Sequence, residues 1–136
     1  MKKTLFSLLL LVFVFDLAAQ ETAEVHLLRK TGYTGSLVGI NLMMDGELLC
    51  KVKNKRHSVH QVNTGTHQFQ ARLLGKKMKK KSMQPLELTF EAGKVYYLEL
   101  SLHQKLITTE VDVHQITEST AKRLIPDLKE EKNCRT

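Results

Sequence analysis

Residues 85–102 read PLELTFEAGKVYYLELSL, and this stretch decides the fold class. Leu86, Leu88 and Phe90 alternate with Glu87 and Thr89, the period-2 pattern of a strand with one dry face. Glu91-Ala92-Gly93-Lys94 reads as a tight turn, with Gly93 free to take a positive φ. Val95, Tyr97 and Glu99 then alternate with Tyr96, Leu98, Leu100 and Leu102. Two antiparallel strands closed as a hairpin are predicted, with Tyr96 and Tyr97 on opposite faces.

Working outward, the same rhythm recurs. Glu24–Arg29 is a first candidate strand, and Lys30–Gly35 a turn-rich connection. Ser36–Met44 and Glu47–Lys53 flank Asp45-Gly46, a dipeptide suited to the left-handed conformations of a type I′ hairpin. Leu48, Cys50 and Val52 share an inward phase. Asn54-Lys55 turns the chain into Arg56–Val62, and the segment around Gly65 turns it again into His67–Leu74. After the central stretch, Leu106–Gln115 is a last strand. Short strands spaced by turn signals predict an antiparallel sandwich or barrel. From Thr117 the period changes: Thr117 or Ser119 can cap a short helix, Ala121, Leu124, Ile125 and Leu128 recur at helical spacing, and Pro126 interrupts it. Glu130–Thr136 reads as a frayed tail.

The N-terminus carries an export pattern. Lys2 and Lys3 precede an apolar run, Leu5–Phe15, and Leu17-Ala18-Ala19 supplies a small residue for cleavage after Ala19. The run is shorter than the roughly 20 residues of a membrane span. No transmembrane segment is therefore expected in the mature chain. Residues 1–19 are read as a cleaved signal peptide, 20–116 as the β domain, and 117–136 as a short helix and flexible tail. Losing two lysines and one aspartate with the signal takes the formal charge from +7 to +6. A basic exported domain favours anionic partners, although moderate charge also serves plain solubility. An oxidising compartment permits a Cys50–Cys134 disulfide. The reading leans against it, because the bridge geometry is strict and Cys134 sits in a polar tail.

The residues that could carry chemistry do not converge in sequence. Of the six histidines, His57 and His60 are three apart and face opposite sides of a strand, while His60 and His67 could approach across a turn near Cys50. No zinc-type spacing occurs, so no metal and no cofactor are assigned. Gly93-Lys94 and Gly75-Lys76 lack the rest of a phosphate loop, and no serine sits in a nucleophile elbow, so no catalytic residue is assigned and the chain is read as a non-enzyme. The feature a packed core does not require is the run Lys76, Lys77, Lys79, Lys80 and Lys81. It is either a solvated loop or a contact for an anionic surface such as lipopolysaccharide or lipid. Nucleic acid is disfavoured, since no aromatics interleave with the lysines.

Three features resemble the exported bacterial family called domain of unknown function 2846: the strand ending in Asp45-Gly46, the turn Thr64-Gly65-Thr66-His67, and Ala92-Gly93-Lys94-Val95-Tyr96-Tyr97. Similar turns occur in PEGA-type surface domains. The Thr64 before Gly65 and the long lysine loop depart from that pattern. The resemblance implies an immunoglobulin-like or transthyretin-like sandwich of about seven or eight strands and implies no reaction. The expectation is a periplasmic or surface-exposed binding or accessory module of a bacterial envelope, meeting an envelope protein or an anionic surface. A structural or adhesive subunit assembling through edge strands is the alternative, and a hydrolase or metal-binding protein the third.

Overall fold

The computed structural model describes residues 21–33, 35, 37–73, 84–132 and 134. They form a two-sheet, all-β sandwich with one short helix. In chain order the strands are β1 (Thr22–Arg29), β2 (Ile40–Met44), β3 (Glu47–Val52), β4 (Arg56–Asn63), β5 (Gly65–Leu73), β6 (Leu86–Phe90), β7 (Val95–Gln104), β8 (Thr109–Ile116) and β9 (Lys129–Glu130). One sheet runs β8-β7-β1-β4-β9 and the other β3-β2-β5-β6.

The expected central hairpin is not one. β6 and the turn lie where predicted and β7 starts as predicted, running two residues past Leu102 to Gln104, but the two strands lie in different sheets. Alternation shows which face of a strand is dry and says nothing about its hydrogen-bonding partner. Here the turn folds the two dry faces toward each other across the core, so Phe90 and Tyr96 meet edge to face with ring centres 4.6 Å apart. Gly93, at φ 72°, gives the corner its left-handed residue. Backbone bonds from Gly93 N to Thr22 O and from Glu24 N to Lys94 O pin it to the start of β1. β7 consequently runs parallel to β1, with Val25 opposite Tyr96 and Leu27 opposite Leu98. β9 is likewise parallel to β4. The first sheet is therefore mixed, which corrects the purely antiparallel expectation. Asp45-Gly46 does close a hairpin, β2–β3, with both residues at positive φ (50° and 86°).

The core is formed by the inward phase of both sheets: Val25, Leu27, Val62, Leu98 and Leu100 from one, Ile40, Leu42, Cys50, Val52 and Phe69 from the other. β8 and β9 occupy opposite edges of the first sheet, so the chain joining them must cross that sheet's outer face. It does so as helix α1 (Glu118–Leu124) and a single 3-10 turn, Ile125–Asp127. Thr117 caps the helix by accepting from Thr120 N, and Pro126 shortens it, as expected. Ala121 is fully buried beneath it, and so is Leu28, which points away from the sandwich core. The frayed-tail expectation fails for the residues that follow. Lys129 and Glu130 pair with Arg56 and His57, Glu131 is buried, and Cys134 forms an antiparallel bridge to Cys50. The tail straps the open side between β4 and β3.

Candidate functional site: the loop end of the sandwich

Strand directions sort the connections onto two ends. One end holds the tight turns at Asp45-Gly46, Asn63-Thr64-Gly65 and Glu91–Lys94. The other holds the long β1–β2 connection, the Asn54-Lys55 corner and the β7–β8 tip. β7 extends beyond the last residue of β1 paired with it, so its tip stands next to the β1–β2 connection. Gly35 lies against it: it takes a left-handed φ of 78°, which glycine favours, and a Cβ built there would lie 2.9 Å from Leu102 Cδ1, so that side chain would have to shift.

This loop end is held by polar contacts. Arg29, fully buried, donates from Nη1 to Val52 O at 2.8 Å and from Nη2 to Gly35 O at 3.1 Å. Burial pulls its pKa below the ordinary arginine value, yet a guanidinium stays protonated. Asn54 Oδ1 accepts from both Thr31 N and Thr31 Oγ1 and from Lys55 N. On that base the loops raise apolar side chains into water. Tyr33 and Leu37 on the β1–β2 connection, and Leu106 and Ile107 on the β7–β8 tip, are essentially fully exposed. Lys30, Lys53, Lys55 and Lys105 lie on the same end, all exposed. Lys30 is paired with Asp127 and Lys105 with Glu110, whereas Lys53 and Lys55 form no ion pair among the described residues. The turn end carries more acids than bases, with Glu21, Asp45, Glu47, Glu91 and Glu118 exposed there beside Lys94.

The residues singled out from sequence fall as follows. Lys76, Lys77, Lys79, Lys80 and Lys81 lie outside the described residues; the strand leading to them ends at Leu73, opposite Ile40, on the loop end. The signal segment, residues 1–19, also lies outside them. Asp45, Gly46, Gly65 and Gly93 all sit at the turn end, each at positive φ. The Asp45 carboxylate accepts from Gln68 N at 2.9 Å and is paired with His67 Nδ1, contacts that hold its pKa below the usual range. This takes His67 away from His60, so the two histidines do not meet. His60 instead faces Cys50 and Cys134, which are joined as a disulfide with Cα atoms 4.3 Å apart. Among the described residues these three form the group whose ligand atoms could reach one ion. His57 points outward, stacked 6.4 Å from His26, and burial followed by the nearby His26 lowers its pKa. Tyr97 also faces out, 4.9 Å from His26, while Tyr96 sends its hydroxyl to the corner, accepting from Glu91 N at 3.0 Å. A shallow groove between β7 and α1 is lined by Lys94, Tyr97, Thr117 and Glu118, but Lys94 is engaged by Glu91 and Glu118 by Lys122.

Sequence reasoning missed Tyr33, Leu37, Leu106 and Ile107. The signal was there, as apolar residues inside turn-rich connections, but Leu106 and Ile107 fit the alternation of the next strand and were absorbed into it. Among the described residues, no helix is long and apolar enough to cross a membrane. No family model, no curated protein and no solved structure matches the chain.

Proposed function

We propose that the protein is a non-enzymatic, exported module of the bacterial envelope whose loop end settles on an anionic lipid surface. The observation that carries the reading is the gathering of fully exposed Tyr33, Leu37, Leu106 and Ile107 with Lys30, Lys53, Lys55 and Lys105 on one end. Exposed apolar side chains sharing one end with lysines match the chemistry of a membrane interface, where rings and aliphatic tips enter the acyl boundary and lysines meet phosphates. β5 ends on that same end at Leu73, the sequence continues toward the run Lys76–Lys81, and each basic group near an anionic surface contributes about 1 kcal/mol. The acidic opposite end orients the molecule in the field of such a surface. The Cys50–Cys134 disulfide and the N-terminal export pattern support an oxidising compartment outside the cytoplasm. The resemblance to domain of unknown function 2846 and to PEGA-type domains supports an immunoglobulin-like or transthyretin-like variety of the sandwich.

Flotation of the mature protein with phosphatidylglycerol-containing vesicles, against neutral phosphatidylcholine vesicles, tests this. Binding should require the anionic lipid and weaken as salt rises. Leu106→Ser with Ile107→Ser should reduce it. Glutamine at all five loop lysines should reduce both binding and its salt dependence. Failure to float with anionic vesicles, or flotation indifferent to every one of these changes, sinks the reading.

One observation favours a second reading, assembly through edge strands. β6 and β8 are edges of their sheets, with no strand paired on the outer side among the described residues. Light scattering after size exclusion decides it: a monomer at high concentration removes assembly from consideration.

A further inference from the structure

The inner face of the sandwich carries buried polar side chains at two places, Arg29 at the loop end and the middle of β4. β4 turns Ser58, His60 and Val62 inward, and the first two are polar. They stand opposite the sulfurs. Ser58 Oγ is 2.9 Å from His60 Nε2 and 3.8 Å from Cys50 Sγ. The two sulfurs and a ring nitrogen of His60 all lie within 4.8 Å of one another. Cys50 and His60 are buried, at 1% and 7% exposure. A disulfide needs no imidazole or hydroxyl beside it. The Ser58 hydroxyl partners one ring nitrogen of His60 and so holds the imidazole against the sulfurs.

We propose that, once the disulfide is reduced, Cys50, Cys134 and His60 form a binding site for a single thiophilic ion, with Zn2+ as the fitting divalent example. Two thiolates and one imidazole make a three-ligand protein set for tetrahedral Zn2+, leaving a fourth position to water or to the Ser58 hydroxyl. The conversion balances with a dithiol reductant. A dithiol supplies two electrons and two protons, the Cys50–Cys134 S–S bond breaks into two thiols, and the dithiol leaves as its own disulfide. Zn2+ then displaces the two thiol protons, which pass to solvent. Zn–S bonds of about 2.3 Å require the sulfurs to part. Cys134 can follow, because it is attached to β3 through one isolated bridge. The same chemistry makes the site silent in the oxidised protein.

The test uses the full mature chain, reduced with a phosphine, freed of metal, and titrated with Zn2+ against a chromophoric chelator. Reduced protein should take up one equivalent and oxidised protein none. Co2+ should give the thiolate-to-metal charge-transfer band of a tetrahedral sulfur site. His60→Ala should weaken binding at least about tenfold, which separates a built site from loose capture by two thiols. Should reduction unfold the chain, added Zn2+ should restore the far-UV spectrum of the native sheets, since an ion bound by the folded form alone shifts the equilibrium toward it. Absence of stoichiometric uptake, His60→Ala binding as tightly as the parent, or an unfolded reduced chain that Zn2+ fails to refold would each overturn the proposal.

Discussion

The two ends of this sandwich are closed by different means. At the turn end, Phe69, Phe90 and Tyr96 stack in edge-to-face contacts at 5.7 Å and 4.6 Å, and short turns cover them. At the loop end the largest fully buried side chain is a cation, Arg29, bonded to two carbonyl oxygens, with Nε left without a partner. Aromatic packing gains from every square ångström removed from water. A desolvated guanidinium gives up much of what its hydrogen bonds return. Stability therefore concentrates at the turn end, and the loop end is the part free to carry contacts with something else. Loops on a rigid scaffold carry function in many folds for the same reason.

The contrast is tested hardest at Phe90. Phe90→Ala removes a buried ring touching Phe69, Tyr96 and His67. It should cost about 3–5 kcal/mol, read as a lower denaturant midpoint, while vesicle flotation of the folded fraction stays as in the parent. A loss of flotation without a loss of stability would reverse the assignment of roles.

Next in size is the strap. Cys50 and Cys134 are 84 positions apart, so the bridge closes a long loop in the unfolded chain. Cys134→Ser should cost about 2–4 kcal/mol and should open the β9 segment to protease before the rest of the chain. A midpoint unchanged by the substitution would show that β9 and Glu131 hold the tail unaided.

What could be read in the sequence follows the same division. The turn end was legible: Asp45-Gly46, Gly65 and Gly93 each demand a backbone conformation, and a local demand is visible in local sequence. Strand faces were legible too, since Cys50 and Phe90 sit in phase with their neighbours. Strand partners were not. Nothing between Phe90 and Val95 distinguishes a hairpin from a corner that changes sheets. The choice is made by β1, whose edge accepts β7 in parallel from some seventy positions away in the chain. Arg29 was hidden for a related reason, because its carbonyl partners, Val52 at the end of β3 and Gly35 in the connection that follows β1, meet it only in the folded chain. The Cys50–Cys134–His60 group depended on a tail docking that two residues of β9 achieve.

Acid separates the ends in order. His57, at the loop end, and His60 beside the disulfide both have lowered pKa values because burial disfavours their charged forms. Their unfolded counterparts take up protons first, so this stability is complete above about pH 6.5 and declines as pH falls below it. Asp45, at the turn end, also has a lowered pKa, through Gln68 N and then His67, so its contribution persists above about pH 3.9 and is lost only as pH falls through its folded value. The midpoint against pH should show two declines. His57→Gln with His60→Gln should flatten the upper one, and Asp45→Asn the lower. Asp45→Ala at neutral pH should cost about 1–2 kcal/mol, from the lost bond to Gln68 N and an alanine held at positive φ. A single decline, or a lower one untouched by Asp45→Asn, would remove the turn from the account.

The smallest expected effect on stability is at the loop tips, and it is the sharpest test of the comparison. Leu106 and Ile107 are exposed, so neither substitution to serine removes core area. Surface changes of this kind stay within about 0.5 kcal/mol, or roughly 2 °C in Tm for a chain of this size. Lys105 N still reaches Thr108 O, which keeps the tip closed. Differential scanning of the double variant should therefore superimpose on the parent while flotation falls. A large drop in Tm would mean that the tips pack into the molecule and that their exposure is no sign of a partner. Unchanged Tm together with unchanged flotation would leave the cations as the whole of the contact, and binding should then vanish at high salt instead of levelling off on an apolar remainder.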